Sequence, residues 1–179
     1  MKFNRDALEL DATDRAILEL LQDNCKQPLA AIGEKVGLSA PAVVDRIHKL
    51  EEAGLIRSYT ALLDARRLGK DVAAFIGVQC TTDTVRGVEG AVAGMEEVLE
   101  CHHVTGAHTL MLKVKTRNTA SLERLIEAVR GLEGVARTET MVVLSTHTER
   151  SRIALGGDDA DEEASRPPRR SGGRRRAVR

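Results

Sequence analysis

At 179 residues, 42% of them hydrophobic and 30% charged, the chain is long enough to bury two small cores. Its 27 Lys/Arg balance 27 Asp/Glu, which excludes a protein that coats nucleic acid through bulk charge. No run of about 20 apolar residues is present, and residues 1–6 lack the apolar centre of a secretion signal, so a cytoplasmic protein is expected. Cys25, Cys80 and Cys101 show no CxxC spacing, which points to reduced thiols rather than a disulfide framework or a zinc finger.

Residues 13–57 read as a helix-turn-helix. Thr13 is a good N-cap for a first helix with Ile17, Leu20 and Leu21 on one stripe. A second helix starts after Pro28, carries Leu29, Ile32 and Val36, and stops at Gly37, a residue suited to the positive φ of a tight turn. Gly33 inside it costs about 1 kcal/mol of helix propensity relative to Ala, so another helix is expected to approach closely there. Ser39 then caps a third helix, the recognition helix, with Pro41 in its first turn, Val43, Val44, Ile47 and Leu50 facing inward, and Gly54 at its end. Arg46 and Lys49 lie on the opposite face, with Arg57 just beyond. Residues 1–64 carry eight Lys/Arg against eleven Asp/Glu, so any DNA contact must be local and dependent on more than one copy.

Residues 55–63 have the composition of a short strand, a wing that would complete a domain of residues 1–63, and 64–70 form a polar link. From there the pattern is a strand at 72–80, a helix over 83–97 with Val85, Val88, Val92 and Met95 at helical spacing, and strands at 98–105 and 108–115 joined at Gly106-Ala107. A helix over 119–131 and a strand over 136–146 complete a βαββαβ order, the ferredoxin-like arrangement, over residues 71–150. The fold class is therefore α+β. Both faces of the sheet carry apolar residues: Ala74, Ile76 and Val78 against Phe75, and Val142 and Leu144 against Met141 and Val143. A face away from the helices normally turns polar when water covers it. Two copies are expected to pack through it into a homodimer that also fixes the spacing of two recognition helices. Residues 151–179 are expected to be a disordered charged tail, with five acids ahead of seven arginines from Asp158 onward. Its arginines would add a salt-sensitive, unspecific term if they touched DNA phosphates; the other reading is a solvated tail.

These motifs together resemble the Lrp/AsnC family of prokaryotic transcription factors, the leucine- and asparagine-responsive regulators. The resemblance is carried by Leu10-Asp11-Ala12-Thr13-Asp14-Arg15-Ala16-Ile17-Leu18, by Val36-Gly37-Leu38-Ser39, by the run from Arg46 to Ile56, and by Val104-Thr105-Gly106, Leu112-Lys113-Val114 and Glu133-Gly134-Val135. It covers residues 10–147. It implies an N-terminal winged helix-turn-helix, a C-terminal ferredoxin-like effector module, dimers that often assemble into octamers, and sensing of an amino acid or related metabolite. Carried over position by position, Ser39, Ala40, Pro41, Ala42, Asp45, Arg46 and Lys49 would face duplex DNA, with Arg46 and Lys49 reaching phosphates or guanine edges. The effector positions would be Thr105, Gly106, Ala107, His108, Thr109, Thr138 and Thr140. Here the chain departs from the family pattern: His108 and Thr109 stand where an aromatic residue and an aspartate are common. Threonine can hydrogen-bond an ammonium group but cannot neutralise it.

A second reading is kept open by Cys101, His102, His103 and His108. Sirohaem decarboxylases share the two-domain build and use histidines and arginines over the sheet, and Cys101 with His103, joined by His108, would suit a metal. On a strand, however, His102 and His103 point to opposite faces. Neither a base–nucleophile pair nor a phosphate-binding glycine loop is apparent. The reading that follows is a regulator rather than an enzyme, with no cofactor and no metal.

Overall fold

The computed structural model describes residues 10–81 and 83–155. Its described residues divide into two compact units, one of residues 10–60 with 150–155 and one within Ala61–Glu149.

The first unit holds α1 (Ala12–Asp23), α2 (Leu29–Val36) and α3 (Ala40–Glu52). The cap of α1 is Asp11 rather than Thr13. The Asp11 carboxylate accepts the Asp14 N–H at 2.7 Å, and the Asp14 carboxylate accepts the Asp11 N–H at 3.3 Å. Two acids three residues apart satisfy two orphan donors at once, which a lone threonine two residues further in cannot do. Helix α2 ends at Gly37, whose φ of 72° is open to glycine at no steric cost. Ser39 caps α3, its hydroxyl accepting the Ala42 N–H at 3.4 Å. Ile17, Ile32, Val43 and Ile47 form the core, with Leu20, Leu21, Val36, Leu38 and Ile56 packed around them. Gly33 is buried as expected, but what approaches it is the Leu38 carbonyl of the turn into α3, not another helix.

The wing expected over residues 55–63 does not form: none of these residues is in a strand. A strand exists only through a ladder partner, and no described segment supplies one. Residues 151–155, expected to open the disordered tail, are held against α1. Arg152 Nη1 meets Asp23 Oδ1 at 2.7 Å, and the Ile153 N–H donates to Gln22 Oε1 at 2.7 Å while Gln22 Nε2 donates to the Ile153 carbonyl at 3.0 Å. The rest of that tail, from residue 156, lies outside the described residues.

The second unit opens with a turn in which the Asp64 carboxylate accepts the N–H groups of Arg66 and Arg67. It continues as β1 (Val72–Cys80), α4 (Val85–Ala93), β2 (Val98–His103), β3 (Leu110–Thr116), α5 (Thr119–Arg130) and β4 (Val135–Val142). The four strands are antiparallel in the order β2-β3-β1-β4. This is the βαββαβ order expected. The helix expected over 83–97 is shorter, stopping at Gly94, and the last strand ends four residues early. Ala74, Ile76, Val78, Leu110, Leu112 and Val114 of the sheet pack against Val88, Val92, Leu122, Leu125 and Val129 of the helices. Each fully buried aliphatic side chain contributes about 1.5–3 kcal/mol. The register sets Ile76 opposite Leu112 and Thr140, and Gly77 opposite Met111 and Glu139. Phe75, Gly77, Met111, Lys113, Glu139 and Met141 therefore share the face away from the helices, where Phe75 and Met141 are exposed.

Candidate nucleic-acid interface and effector site

Helix α3 has two unlike sides. Val43, Ile47 and Leu50 are buried, while Pro41, Asp45, His48 and Lys49 are exposed, with Ser39 exposed at its cap. Ala40 and Ala42 are half-buried, and Arg57 is exposed beyond the helix. Small residues in the first turn let a phosphate approach the helix start, where the helix dipole favours an anion, although Pro41 has no N–H and the Ala42 N–H is already taken by Ser39. His48 completes the exposed stripe of Pro41 and Asp45 at helical spacing. Sequence reading passed it over, although the spacing alone places it there.

Arg46, expected to reach a base or phosphate, is engaged within the unit. Its Nη1 lies 2.7 Å from Asp11 Oδ2 and 2.6 Å from Asp14 Oδ1, the two acids that cap α1. The Asp14 N–H, and then Arg46, hold the Asp11 carboxyl below its ordinary value, and the two acids push the guanidinium up in turn. The reach of Arg46 to α1 is not encoded in the local sequence of α3.

The seven expected effector positions do not converge. Thr105, Gly106 and Ala107 are exposed in the β2–β3 connection, where Gly106 has a φ of 118°. Thr109 closes that connection: its N–H donates to the Val78 carbonyl at 2.9 Å and its hydroxyl accepts the Cys80 N–H at 3.1 Å. Thr138 and Thr140 pair with Val78 and Ile76 and so face the helices. Thr138 is buried there and accepts from Arg130 Nε at 2.9 Å. His108 lies on the other face, its ring over Gly77: a Cβ at residue 77 would sit 2.6 Å from the imidazole Cδ2. Its Nε2 is 3.5 Å from Glu139 Oε2. Thus Glu139 brings a carboxylate beside His108, where the local sequence offers only Thr109. Cross-strand register, not local sequence, brings Gly77 and Glu139 to this place.

The histidine and cysteine grouping is likewise divided. His103 Nδ1 is 3.7 Å from Glu89 of α4, whereas His102 Nε2 meets Glu100 at 3.0 Å on the open face. Burial pushes the thiols of Cys80 and Cys101 up, which makes them poorer nucleophiles and ligands. Among the described residues no three His, Cys, Asp or Glu side chains are grouped to hold a metal. A cavity of about 310 Å³ on the open face is lined by Phe75, Lys113, Lys115, Val143 and residues 145–149. There Glu149 pairs with Lys113 at 2.8 Å and with Lys115 at 3.7 Å.

A helix-turn-helix followed by an antiparallel α+β unit defines a class, the DNA-binding transcriptional regulators with a separate second module. Residues 10–51 match the AsnC-type helix-turn-helix domain and residues 73–153 the Lrp/AsnC ligand binding domain. The chain is 33% identical over 146 residues to the HTH-type transcriptional regulator FL11 of Pyrococcus horikoshii, covering 82% of this chain and 97% of that one. Its fold is similar to that of E. coli AsnC, with a TM-score of 0.75, 28% identity and coverage of 79% of this chain and 97% of that one. A transcriptional regulator from Neisseria meningitidis, solved as a complex with L-Met, has a TM-score of 0.78 at 28% identity, covering 82% of this chain and 97% of that one. The chain belongs to the Lrp/AsnC family, and it is a transcriptional regulator of that type.

Proposed function

We propose that the protein binds operator DNA through the start and exposed side of α3 and that a small amino acid or related metabolite modulates this binding at the β2–β3 connection. The observation that carries the first part is the division of α3, with an apolar side in the core and Ser39, Pro41, Asp45, His48 and Lys49 left outside. In this reading the Ser39 hydroxyl and the N–H of Ala40 meet phosphate, and Lys49 and Arg57 add charge. Pro41 and Asp45 face the groove. The protein acts in the cytoplasm, and no described helix is long and apolar enough to cross a membrane.

The effector reading is supported by the match to a ligand binding domain and by the L-Met complex of the Neisseria relative. Thr105, Gly106, Ala107, His108 and Thr109 form its loop side, and Glu139 supplies the carboxylate that an ammonium group needs. Thr138 and Thr140 support β4 from the helix side rather than lining this seat. The exposed Phe75 and Met141 support a homodimer through the open face, which would present two copies of α3 to successive turns of the duplex.

The test is a DNA titration of the full chain and its Lys49→Ala variant, repeated with methionine and then with pooled amino acids. Loss of one phosphate contact should flatten the dependence of log K on log salt by about 0.9 in the variant, and an amino acid should shift the wild-type midpoint. An unaltered slope removes Lys49 from the interface; a midpoint indifferent to the whole pool removes the effector role.

A further inference from the structure

The clasp between Arg46 and the start of α1 uses every carboxylate oxygen of two acids. Asp11 Oδ1 accepts the Asp14 N–H and Asp11 Oδ2 takes Arg46. Asp14 Oδ2 accepts the Asp11 N–H and Asp14 Oδ1 takes Arg46. The helix cap thus holds both acids independently of the arginine, and one guanidinium nitrogen bonds both of them. A pair held this way loses less side-chain freedom than two free surface chains closing on each other. Arg46 also lies beside Ile47 on α3, whose side chain is in the core with Ile17 of α1. The clasp therefore ties the outer rim of the α1–α3 contact just where the apolar contact ends.

We infer that Arg46 is a positioning residue, holding α3 at a fixed angle to α1 so that its exposed side meets the groove, and that Asp11 and Asp14 act with it. The inference rests on the reading of α3 as the DNA-binding helix. Its consequence has a sign that electrostatics alone would not give. Asp11 and Asp14 are anions bonded to the helix read here as meeting a polyanion, so neutralising either would strengthen DNA binding if charge were all that mattered. With Arg46 positioned by them, neutralising either weakens it.

The experiment measures binding of the full chain to two labelled duplexes, one from upstream of its own coding region and one scrambled, at several salt concentrations. The proteins are wild type, Arg46→Ala, Arg46→Lys, Asp14→Asn and the Arg46→Ala/Asp14→Asn double variant. Asp14→Asn and Arg46→Ala should each cut the preference for the upstream duplex about tenfold, and the double variant should lose no more than either alone, the mark of one shared interaction. The salt slope should stay as in wild type, and Arg46→Lys should recover part of the loss. Thermal melts of each variant show whether it is folded; Arg46→Lys and Asp14→Asn, the mildest changes, keep the test valid if Arg46→Ala is not. Asp14→Asn binding as tightly as wild type or tighter, with Arg46→Ala flattening the salt slope by about 0.9, would make Arg46 a phosphate contact and overturn the inference. Equal wild-type affinity for both duplexes would overturn the reading of α3 itself, whatever the variants do.

Discussion

Gly33→Ala should destabilise the helical unit although it improves helix propensity. The substitution gains about 1 kcal/mol from propensity. Against this, the new Cβ runs into the Leu38 carbonyl oxygen, nearer than real Cβ atoms come, with the carbonyl carbon at 3.4 Å and Ser39 C at 3.6 Å. The obstacle is backbone and cannot rotate away. It is also tied down, because the Leu38 N–H donates to the Gly33 carbonyl at 2.9 Å and Ser39 is the cap of α3. Overpacking costs about 1–3 kcal/mol, and the upper part of that range applies where only a backbone shift relieves it. The net is about 1–2 kcal/mol of destabilisation, which for a chain of this size lowers Tm by roughly 2–8 °C. Gly90 is the control: it lies inside α4 with nothing within 4 Å of a built Cβ, so Gly90→Ala should gain about 0.5–1 kcal/mol. Calorimetry of the two variants and wild type checks both. Gly33→Ala melting at or above wild type would refute the close-contact argument.

Ile76 is fully buried between the sheet and its helices, so Ile76→Ala should cost about 2–5 kcal/mol, read by denaturant titration; less than 1 kcal/mol would mean that the site collapses around the gap. Gly77→Ala must displace the His108 ring, which should move the imidazole C–H resonances and blunt any amino-acid response while leaving helix content unchanged. On the open face, Lys113 holds the Glu149 carboxyl below its ordinary 4.5, and His102 and then Lys113 do the same to Glu100. Folded-state pKa values below the unfolded ones give stability that is present above about pH 4.5 and lost as pH falls through the lower folded values. Glu149→Gln should therefore flatten the acid limb of a stability–pH curve, and an unchanged limb would show that the pair adds nothing. Tyr59, the one tyrosine in a chain without tryptophan, is pushed up to about 12 by burial and then by its bond to Glu51. An absorbance titration should follow it alone, with Glu51→Gln moving the midpoint down.

The elements that sequence reading placed well are those with a strong local signal. β1 is a run of small and β-branched residues bounded by polar ones, and its observed ends coincide with the expected ones. Ser39-Ala40-Pro41 marks the start of α3 without reference to anything distant. The misplacements share a cause, which is partners that lie elsewhere in the chain. Thr13 is the exception, since the reciprocal Asp11–Asp14 pair that displaces it as the cap lies within one turn and is a local signal. The wing has strand composition over residues 55–63 but no described segment to pair with. Arg46 looks free on a helical wheel because α1 is not on that wheel. The open face shows the same limit: Thr138 and Thr140 look close to His108 until the strand alternation sends them to the helix side, while Glu139, between them, arrives beside it.

The proposed function stands on recognition of a particular DNA sequence by this family member. Fluorescence anisotropy of the full chain, with the duplex upstream of its own coding region against a scrambled duplex at two salt concentrations, measures that recognition. Preference for the upstream duplex is expected, of the order of a thousandfold or more for a specific site, and should persist at the higher salt. Equal affinities falling together steeply with salt would reduce the binding to phosphate charge alone and contradict the claim, as would no binding to either.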